Sequence, residues 1–415
     1  MEEKIKQVNE ILKKYGQEHL LLNFNNLDEQ KKENLLEQIL QINFEQMEQL
    51  YESVGKNTED TNVKIEPISY VEKATIEENK KQEYFEKGAE VIKQNKLAVV
   101  TMAGGQGTRL GHNGPKGIFY LNVKPDAKSI FELLCETLKR ANEKYGVSIP
   151  WYIMTSRENN NDTVKFFEEN NYFNYNKNDI KFFVQGELPM VDTSGKILIN
   201  EDGLIKLAAD GHGGVFESMF KNGVVEDMKK RHIEWIFIGP VDNPLAGMVD
   251  EVLIGLSANQ NSMSAGKSLV KANPSEKVGV FCLKNGKPSV VEYTEISEEM
   301  SNRVDENGNL VFGESHINCN MFNIKGIEKI GAEKLPYHVA FKKAPYMNEN
   351  GEIVKPIEPN AYKFESFIFD AFEKLDNMTI LRVKREEEFA PVKNAEGTDS
   401  PETAIKLYNE YHSHE

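Results

Sequence analysis

The sequence predicts an α/β protein built on a mixed β-sheet, preceded by a helical segment. Short, continuously apolar runs, typical of strands buried on both faces, occur at Leu97–Met102, Trp151–Met154, Lys181–Val184 and Trp235–Gly239. Helical stretches such as Ile130–Tyr145 separate them, and this alternation favours parallel strands. After Val270 the pattern becomes hairpin-like, with short runs at Val278–Leu283, Val290–Tyr293 and Leu310–Phe312. We therefore expect an antiparallel extension of the parallel sheet.

The N-terminal segment has helical spacing. Val8, Ile11, Leu12 and Tyr15 fall on one helix face, and a similar apolar stripe continues from Leu36 to Leu50. Asn26 or Asp28 could cap the second helix. A polar stretch from Thr58 to Ser69 predicts a linker, and Tyr84–Gln94 predicts another helix.

Length and composition limit the organisation and the partners. The chain has 415 residues, which predicts two or three domains, and we place their boundaries at 1–75, 76–345 and 346–415. The net charge of −16 argues against nucleic acid or an anionic membrane as partner. The acidic start, Met1-Glu2-Glu3, does not resemble a secretory signal. Cys135, Cys282 and Cys319 form no CxxC pair and are expected to be buried thiols in a reducing cytoplasm.

A glycine-rich loop directly follows the first buried strand. It runs from Ala103 to Gly117, with five glycines before Pro115. Glycines let the backbone approach a ligand closely, so that successive N–H groups can face phosphate oxygens. Arg109 and Lys116 add positive charge within the same loop. The loop therefore predicts a phosphate-binding site.

Two familiar glycine motifs do not fit this loop. A GxGxxG pattern from Gly105 would need a glycine at position 110, which is Leu110, and this argues against a nicotinamide oxidoreductase. The GK[ST] ending of a P-loop is absent because Lys116 lies between Pro115 and Gly117.

The loop resembles the signature of the UDP-sugar pyrophosphorylases, and among them that of the eukaryotic-type UDP-N-acetylhexosamine pyrophosphorylases. The resemblance extends in order through Trp151–Ser156, Gln185–Pro189, Ala209–Gly214, Val241–Asn243, Asn273-Pro274, Val291–Tyr293 and Arg385–Asn394. It implies a nucleotidyltransferase domain of the Rossmann-like, GT-A-like type over 76–345, with the UTP and sugar sites. The C-terminal part, 346–415, would complete the active site. The implied reaction joins UTP to a sugar 1-phosphate and releases pyrophosphate.

The resemblance also implies roles for individual residues. Gly104, Gly105 and Gln185 would hold the uracil, with Gly211 and His212 nearby, and Asp242 would meet the ribose region or a Mg²⁺ ion on the phosphates. Arg109, Lys116 and Lys393 would neutralise the phosphates during catalysis. The sugar side would involve the residues Gly279, Glu292, Tyr293, Asn320, Lys363 and Phe367.

Three features depart from the acetylhexosamine pattern. His212 replaces a usual Asn, as in the UDP-glucose and broad-specificity branches. The sugar-binding Asn aligns with Cys319, so Asn318, Cys319 and Asn320 all stay open as the contact residue. Only 22 residues follow Lys393, so the separate C-terminal domain of longer relatives is expected to be absent, which leaves the sugar and the oligomeric state open; we expect a monomer or weak homo-oligomer.

Three functions are compared on these grounds. The preferred one is a uridylyltransferase using N-acetylglucosamine 1-phosphate. The rival in the same class uses glucose 1-phosphate or a broad range of sugar 1-phosphates. A nucleotide-sugar binding protein without catalysis would need Arg109, Lys116 or Lys393 to be altered, and all three are present.

Overall fold

The computed structural model describes residues 1–55 and 63–413, so the first part of the expected linker, 58–62, lies outside the described residues. The α-helices are α1 (Glu2–Tyr15), α2 (Glu29–Gln41), α3 (Phe44–Glu52), α4 (Glu78–Lys93), α5 (Ile130–Tyr145), α6 (Asn160–Glu169), α7 (Val215–Lys221), α8 (Val224–Lys230), α9 (Glu251–Asn259), α10 (Glu298–Asn302), α11 (Ile324–Ala332), α12 (Arg385–Glu388) and α13 (Pro401–His412). The strands are β1 (Ile65–Pro67), β2 (Val71–Glu72), β3 (Leu97–Met102), β4 (Tyr120–Leu121), β5 (Lys128–Ser129), β6 (Trp151–Thr155), β7 (Ile180–Val184), β8 (Glu187–Pro189), β9 (Val191–Asp192), β10 (Leu207–Ala209), β11 (Trp235–Pro240), β12 (Ser264–Val270), β13 (Val280–Lys284), β14 (Lys287–Val291), β15 (Glu314–Asn323), β16 (His338–Lys342), β17 (Tyr346–Met347), β18 (Ile353–Val354), β19 (Ala361–Glu365) and β20 (Met378–Arg382).

The chain forms two compact units, and neither is continuous in sequence. One comprises Met1–Thr61, Gly186–Gly214 and Pro336–Phe367, and the other comprises Asn62–Gln185, Val215–Leu335 and Ile368–Glu415. The sequence predicts three consecutive segments instead, 1–75, 76–345 and 346–415. Local patterns do not show that β9 pairs with β19, and it is such long-range pairing that builds the units from separate stretches.

The larger unit contains a mixed sheet in the order β2-β20-β12-β15-β11-β3-β6-β7, extended by β13, β14 and β1. Strands β11, β3, β6 and β7 are parallel, and β15 runs antiparallel to both β11 and β12. The parallel strands end in register, with Met102 beside both Met154 and Pro240, and Thr155 beside Val184. The loops that follow them therefore begin at one edge of the sheet, where ligands bind in parallel α/β sheets.

Burial explains why these runs form central strands. All six residues of β3 and all five of β6 are buried. Helix α5 begins where the Ser129 hydroxyl accepts from the Glu132 N–H. It ends at Gly146, whose φ of 66° lies in the left-handed region that favours glycine. Both ends coincide with those predicted from the sequence.

The smaller unit begins with three helices. Asp28 caps α2 by accepting from the Lys31 N–H at 2.8 Å, which selects it over Asn26. Short sheets, β8–β10, β16–β19–β9 and β17–β18, complete the unit. Its core joins both parts of the sequence, since Val8, Leu36 and Phe364 belong to one apolar cluster.

Most sequence-predicted strands are confirmed, and two expectations need correction. The stretch up to Ser69 was expected to be a linker, but 65–67 form β1 against β13. The expected strand at Leu310–Phe312 is a turn with one bridge, from Leu310 to Val304, and the long strand is β15. None of the helices in the described ranges has the length and apolar character needed to cross a bilayer.

Candidate active site

The glycine-rich loop after β3 closes on itself. The Gly107 N–H donates to the Gly114 carbonyl at 2.9 Å, and the Lys116 N–H donates to the Gly105 carbonyl at 3.0 Å. Within the described residues, the N–H groups of Gly104 and Gly105 donate to no protein acceptor. These two amides are therefore available to a ligand at the sheet edge.

Gly104 lies against Gln185. A Cβ atom on Gly104 would come within 2.5 Å of the Gln185 Oε1 atom, so a larger residue there would displace the Gln185 amide. Gln185 directly follows β7, and its N–H donates to the Thr155 carbonyl at 2.8 Å. The buried Asn159 side chain donates to the carbonyl of Ala103 at 3.0 Å and holds the start of the loop in place. The structure thus brings together two of the residues predicted to hold uracil.

Asp242 lies beside the same loop. It follows β11, which is paired with β3, and the preceding Val241 N–H donates to the Met102 carbonyl at 3.1 Å. The Lys116 ammonium group is 3.3 Å from the Asp242 carboxylate, with side chains only 12% and 17% exposed. The sheet register therefore joins a loop cation to the carboxylate predicted for the ribose or metal.

Lys393 is distant from Asp242 in sequence, but the chain just before it passes beside Asp242. The Val392 N–H donates to the Asp242 carbonyl at 2.8 Å, which fixes the backbone next to Lys393. The Lys393 ammonium group is 3.7 Å from the Asp399 carboxylate, but its side chain is still 44% exposed. Arg109 is exposed, and among the described residues it makes no ion pair. The Lys116 side chain thus contacts the Asp242 carboxylate, and Val392, the residue before Lys393, hydrogen-bonds the Asp242 backbone.

Four of the residues predicted for the sugar, Gly279, Glu292, Tyr293 and Asn320, lie in the larger unit, and His316 contacts two of them, Gly279 and Asn320. A Cβ on Gly279 would lie 3.2 Å from the Glu292 carboxylate, and the His316 N–H donates to the Gly279 carbonyl at 2.8 Å. Tyr293 follows Glu292 and is 45% exposed. His316 is not predictable as a site residue from the sequence, because a single histidine on a strand gives no local signal.

The side chains of the two candidate asparagines, Asn318 and Asn320, are hydrogen-bonded to each other at a bulge in β15. Asn318 has a φ of 59°, in the left-handed region, where the pairing between β12 and β15 also shifts register. The Asn320 side-chain N–H donates to the Asn318 Oδ1 atom at 3.2 Å, and the His316 Nε2 atom lies 3.1 Å from the Asn320 Oδ1 atom. Asn320 is fully buried, whereas Asn318 is half-buried. Cys319 lies in the apolar core, where burial raises the pKa of its thiol to about 12.

The smaller unit carries the other four predicted residues. Gly211 has a φ of 87°, and a Cβ on it would lie 2.2 Å from the Ser366 carbonyl oxygen. The His212 ring is 5.4 Å from the Phe367 ring. Lys363 donates to the Glu365 carboxylate at 2.7 Å. The segment predicted for the nucleotide is therefore packed on the segment that carries Phe367.

The acidic side chains near the loop fit a metal ion that is held mainly by substrate phosphates. No group of three or more His, Cys, Asp and Glu side chains in the described part of the chain could hold an ion by itself. Mg²⁺ commonly binds through one or two carboxylates together with substrate phosphates. The Asp242 carboxylate lies beside the phosphate-binding loop and is 17% exposed, so it is available as a single protein ligand of such a site.

Comparison with known proteins identifies the family. Residues 43–402 match the model of a family described as UTP–glucose-1-phosphate uridylyltransferase. The chain belongs to this uridylyltransferase family. It is 36% identical to the probable UDP-N-acetylglucosamine pyrophosphorylase of Dictyostelium discoideum, over 96% of this chain and 86% of that protein. It is also 36% identical to the UDP-N-acetylglucosamine pyrophosphorylase of Saccharomyces cerevisiae, over 95% and 87%.

Solved structures agree with the sequence comparison. The uridine diphosphate N-acetylglucosamine pyrophosphorylase from Trypanosoma brucei, in complex with an inhibitor, superposes with a TM-score of 0.85 at 28% identity, covering 98% of this chain and 84% of that one. A putative UDP-N-acetylglucosamine pyrophosphorylase from Entamoeba histolytica gives 0.75 at 35% identity, over 83% and 87%. The uridylyltransferase family therefore accounts for both compact units of the chain.

Proposed function

We propose that this uridylyltransferase-family protein joins UTP to N-acetylglucosamine 1-phosphate, forming UDP-N-acetylglucosamine and pyrophosphate. The observation that carries the proposal is the Lys116–Asp242 ion pair beside a glycine loop with available amides, with the segment that bears Lys393 hydrogen-bonded through Val392 to the Asp242 carbonyl. The names of the relatives at 36% identity support the choice of substrates.

The proposed chemistry is an in-line displacement. A phosphate oxygen of the sugar 1-phosphate attacks the α-phosphorus of UTP, and the bond to pyrophosphate breaks. The phosphate is already ionised near neutral pH, so the reaction needs no general base. Lys116, Lys393 and the exposed Arg109 neutralise the charge on the transferring and leaving groups, so catalysis depends on position and electrostatics.

Mg²⁺ is the cofactor we propose, held by Asp242 and the phosphates of UTP. When bound, it neutralises phosphate charge and orients the pyrophosphate group. The protein's own part is to keep Asp242 at the end of β11 and Lys116 within reach of it.

The remaining assignments follow the same proposal. The fold of the larger unit is of the Rossmann-like, GT-A-like type, and the protein acts in the cytoplasm as a monomer or weak homo-oligomer. We assign Gly104, Gly105, Gln185, Gly211 and His212 to the nucleotide. We assign to the sugar the residues Gly279, Glu292, Tyr293, Asn320, Lys363 and Phe367.

A sugar 1-phosphate panel tests the function. Purified protein is incubated with UTP, Mg²⁺ and one sugar 1-phosphate at a time, and pyrophosphate release is measured. We expect kcat/KM to be highest for N-acetylglucosamine 1-phosphate. Absence of release with every sugar, in protein that binds UTP, would instead favour a nucleotide-sugar binding protein.

A second candidate is a UTP:glucose-1-phosphate or broad-specificity enzyme. The presence of His212, in a position where the acetylhexosamine enzymes usually have Asn, favours this alternative. Higher kcat/KM for glucose 1-phosphate in the same panel would select it.

A further inference from the structure

The turn after β11 and the segment before Lys393 are distant in sequence but joined by hydrogen bonds. The Asn243 side chain donates from Nδ2 to the Glu388 carbonyl at 2.8 Å and accepts at Oδ1 from the Ala390 N–H at 2.9 Å. A third hydrogen bond runs from the Val392 N–H to the Asp242 carbonyl. Three hydrogen bonds therefore attach the segment before Lys393 to the turn after β11.

The Glu388 side chain is anchored in turn by a buried cation. Lys267, on β12, is fully buried, and its ammonium group is 2.6 Å from the Glu388 carboxylate. The same ammonium group contacts the Asp250 carboxylate at 2.9 Å and the Gly247 carbonyl at 2.8 Å. A buried ion pair resists separation, because either charge left alone would be desolvated without a partner. Movement of the Glu388 backbone is therefore opposed by this pair.

We propose that Asn243 and Glu388 are positioning residues for uridylyl transfer. Asn243 is fully buried and the Glu388 side chain is 9% exposed, so neither is placed to touch a substrate. They act by holding the Lys393 backbone beside Asp242, where the ammonium group meets the phosphates. The inference rests on the proposed function and adds two residues to which no sequence pattern assigned a role.

A positioning role and a purely stabilising role differ in what each changes. A stabilising residue affects the fraction of molecules that are folded, while kcat per folded molecule stays the same. A positioning residue changes kcat in folded molecules, since a shift of about 1 Å in a catalytic group can cost roughly 10²-fold. Its effect must also depend on the presence of Lys393.

The test is a double-mutant cycle on the full chain. Asn243→Ala and Glu388→Gln are each made alone and together with Lys393→Ala, and kcat is measured with the sugar 1-phosphate that the wild type uses best. We expect either single change to lower kcat by roughly 10- to 100-fold, with the Kd for UTP, measured by titration calorimetry, changed less than about twofold. In the Lys393→Ala background the same changes should have little further effect on kcat.

A matched control is Asp179→Asn. Asp179 pairs with Arg231 at 2.6 Å and lies just before β7, at the opposite edge of the sheet from the loops. We expect this change to lower the melting temperature with kcat unchanged. Glu388→Gln keeps the side-chain shape and leaves Lys267 paired with Asp250, so it also provides a folded variant if Asn243→Ala does not fold.

Either of two results would overturn the inference. One is an unchanged kcat in the folded single variants, and the other is full additivity with Lys393→Ala. Failure of the proposed function looks different, since the wild-type protein itself would then release no pyrophosphate with any sugar of the panel.

Discussion

The Lys116 ammonium group and the Asp242 carboxylate neutralise each other at 3.3 Å while both are largely shielded from solvent. A bound triphosphate would offer the same ammonium group several further anionic oxygens. Because uracil recognition is assigned to Gln185 and backbone amides, the two lysines proposed for catalysis, Lys116 and Lys393, should contribute more to the transition state than to nucleotide binding.

Replacing either lysine tests this division. We expect Lys116→Ala or Lys393→Ala to lower kcat by roughly 10²–10³-fold, as for removal of other preorganised charge-stabilising groups. The Kd for UTP should rise much less. The exposed Lys165→Ala, on α6, is the control and should behave as wild type. Near-wild-type turnover in either lysine variant would remove that residue from the mechanism.

Asn318 supports Asn320, the asparagine assigned to the sugar. The half-buried Asn318 accepts a hydrogen bond from the Asn320 side chain, which His316 also contacts. Asn318→Gly retains the positive φ and removes this support, so we expect KM for the sugar 1-phosphate to rise up to about tenfold, the effect of one lost hydrogen bond. KM for UTP is the internal control. An unchanged sugar KM would show that Asn320 does not depend on Asn318 for sugar binding.

The residues that could be found from sequence alone are those with a distinctive local setting. Gly104, Lys116 and Lys393 lie in motifs, and Gly104 does contact Gln185 as expected. Asn243 also lies in a stretch that carries the resemblance, but its partners could not be predicted, because its side chain bonds a backbone carbonyl and a backbone amide, which every residue type supplies. The same holds for His316, whose backbone N–H bonds the Gly279 carbonyl.

Secondary structure was predictable where burial on both faces leaves a continuous apolar run. β3 and α5 match their predicted bounds, and β6, β7 and β11 differ by one residue. β15 was given no bounds from the sequence, although Ile317, Cys319 and Met321 alternate with polar residues as in a strand. β1 was missed because three residues carry too little pattern.

Helices α4 and α9 approach each other through glycine. A Cβ on Gly88 would lie 1.9 Å from the Glu251 carbonyl oxygen, and one on Gly255 would lie 1.9 Å from the Tyr84 carbonyl oxygen. These obstacles are backbone atoms, so a side chain can fit only if the helices separate.

Alanine at either position should therefore destabilise the protein, although alanine is the better helix former. We expect Gly88→Ala and Gly255→Ala each to lower the free energy of unfolding by about 1–3 kcal/mol, as overpacking does. Urea titration gives this value. Asn79→Ala, exposed on α4, should change it by less than about 0.5 kcal/mol. Equal stability of the glycine variants and the wild type would contradict the close approach.

The protein as a whole carries a net charge of −16, yet its larger unit contains a buried cluster of both signs. Burial acts to raise the pKa of Asp250, but the charges of Lys267 and Lys73 outweigh it and hold that pKa below its ordinary value. Burial acts to lower the pKa of Lys267, but Asp250 and Glu388 outweigh it and raise that pKa. The depressed carboxylate stabilises the fold above about pH 4, and the raised ammonium group does so below about pH 10.

Acid denaturation tests the carboxylate part of the cluster. As pH falls below about 4, unfolded Asp250 takes up a proton that the folded form resists, so the free energy of unfolding decreases. We expect Asp250→Asn to be less stable at pH 7 and to show an acid dependence shallower by up to about one proton. The exposed Asp126→Asn is the control. An acid slope in Asp250→Asn equal to that of wild type would show that the cluster does not set this dependence.

The hydrogen bond from Val392 to Asp242 has a consequence for biosynthesis. A ribosome delivers the glycine loop and Asp242 long before it delivers Lys393, and folding proceeds as the chain emerges. A nascent polypeptide halted just short of Phe389 would already hold the groups assigned to recognise UTP in the larger unit, but would lack the lysine proposed for turnover. By the proposed mechanism, catalysis has to wait until Lys393 has been synthesised.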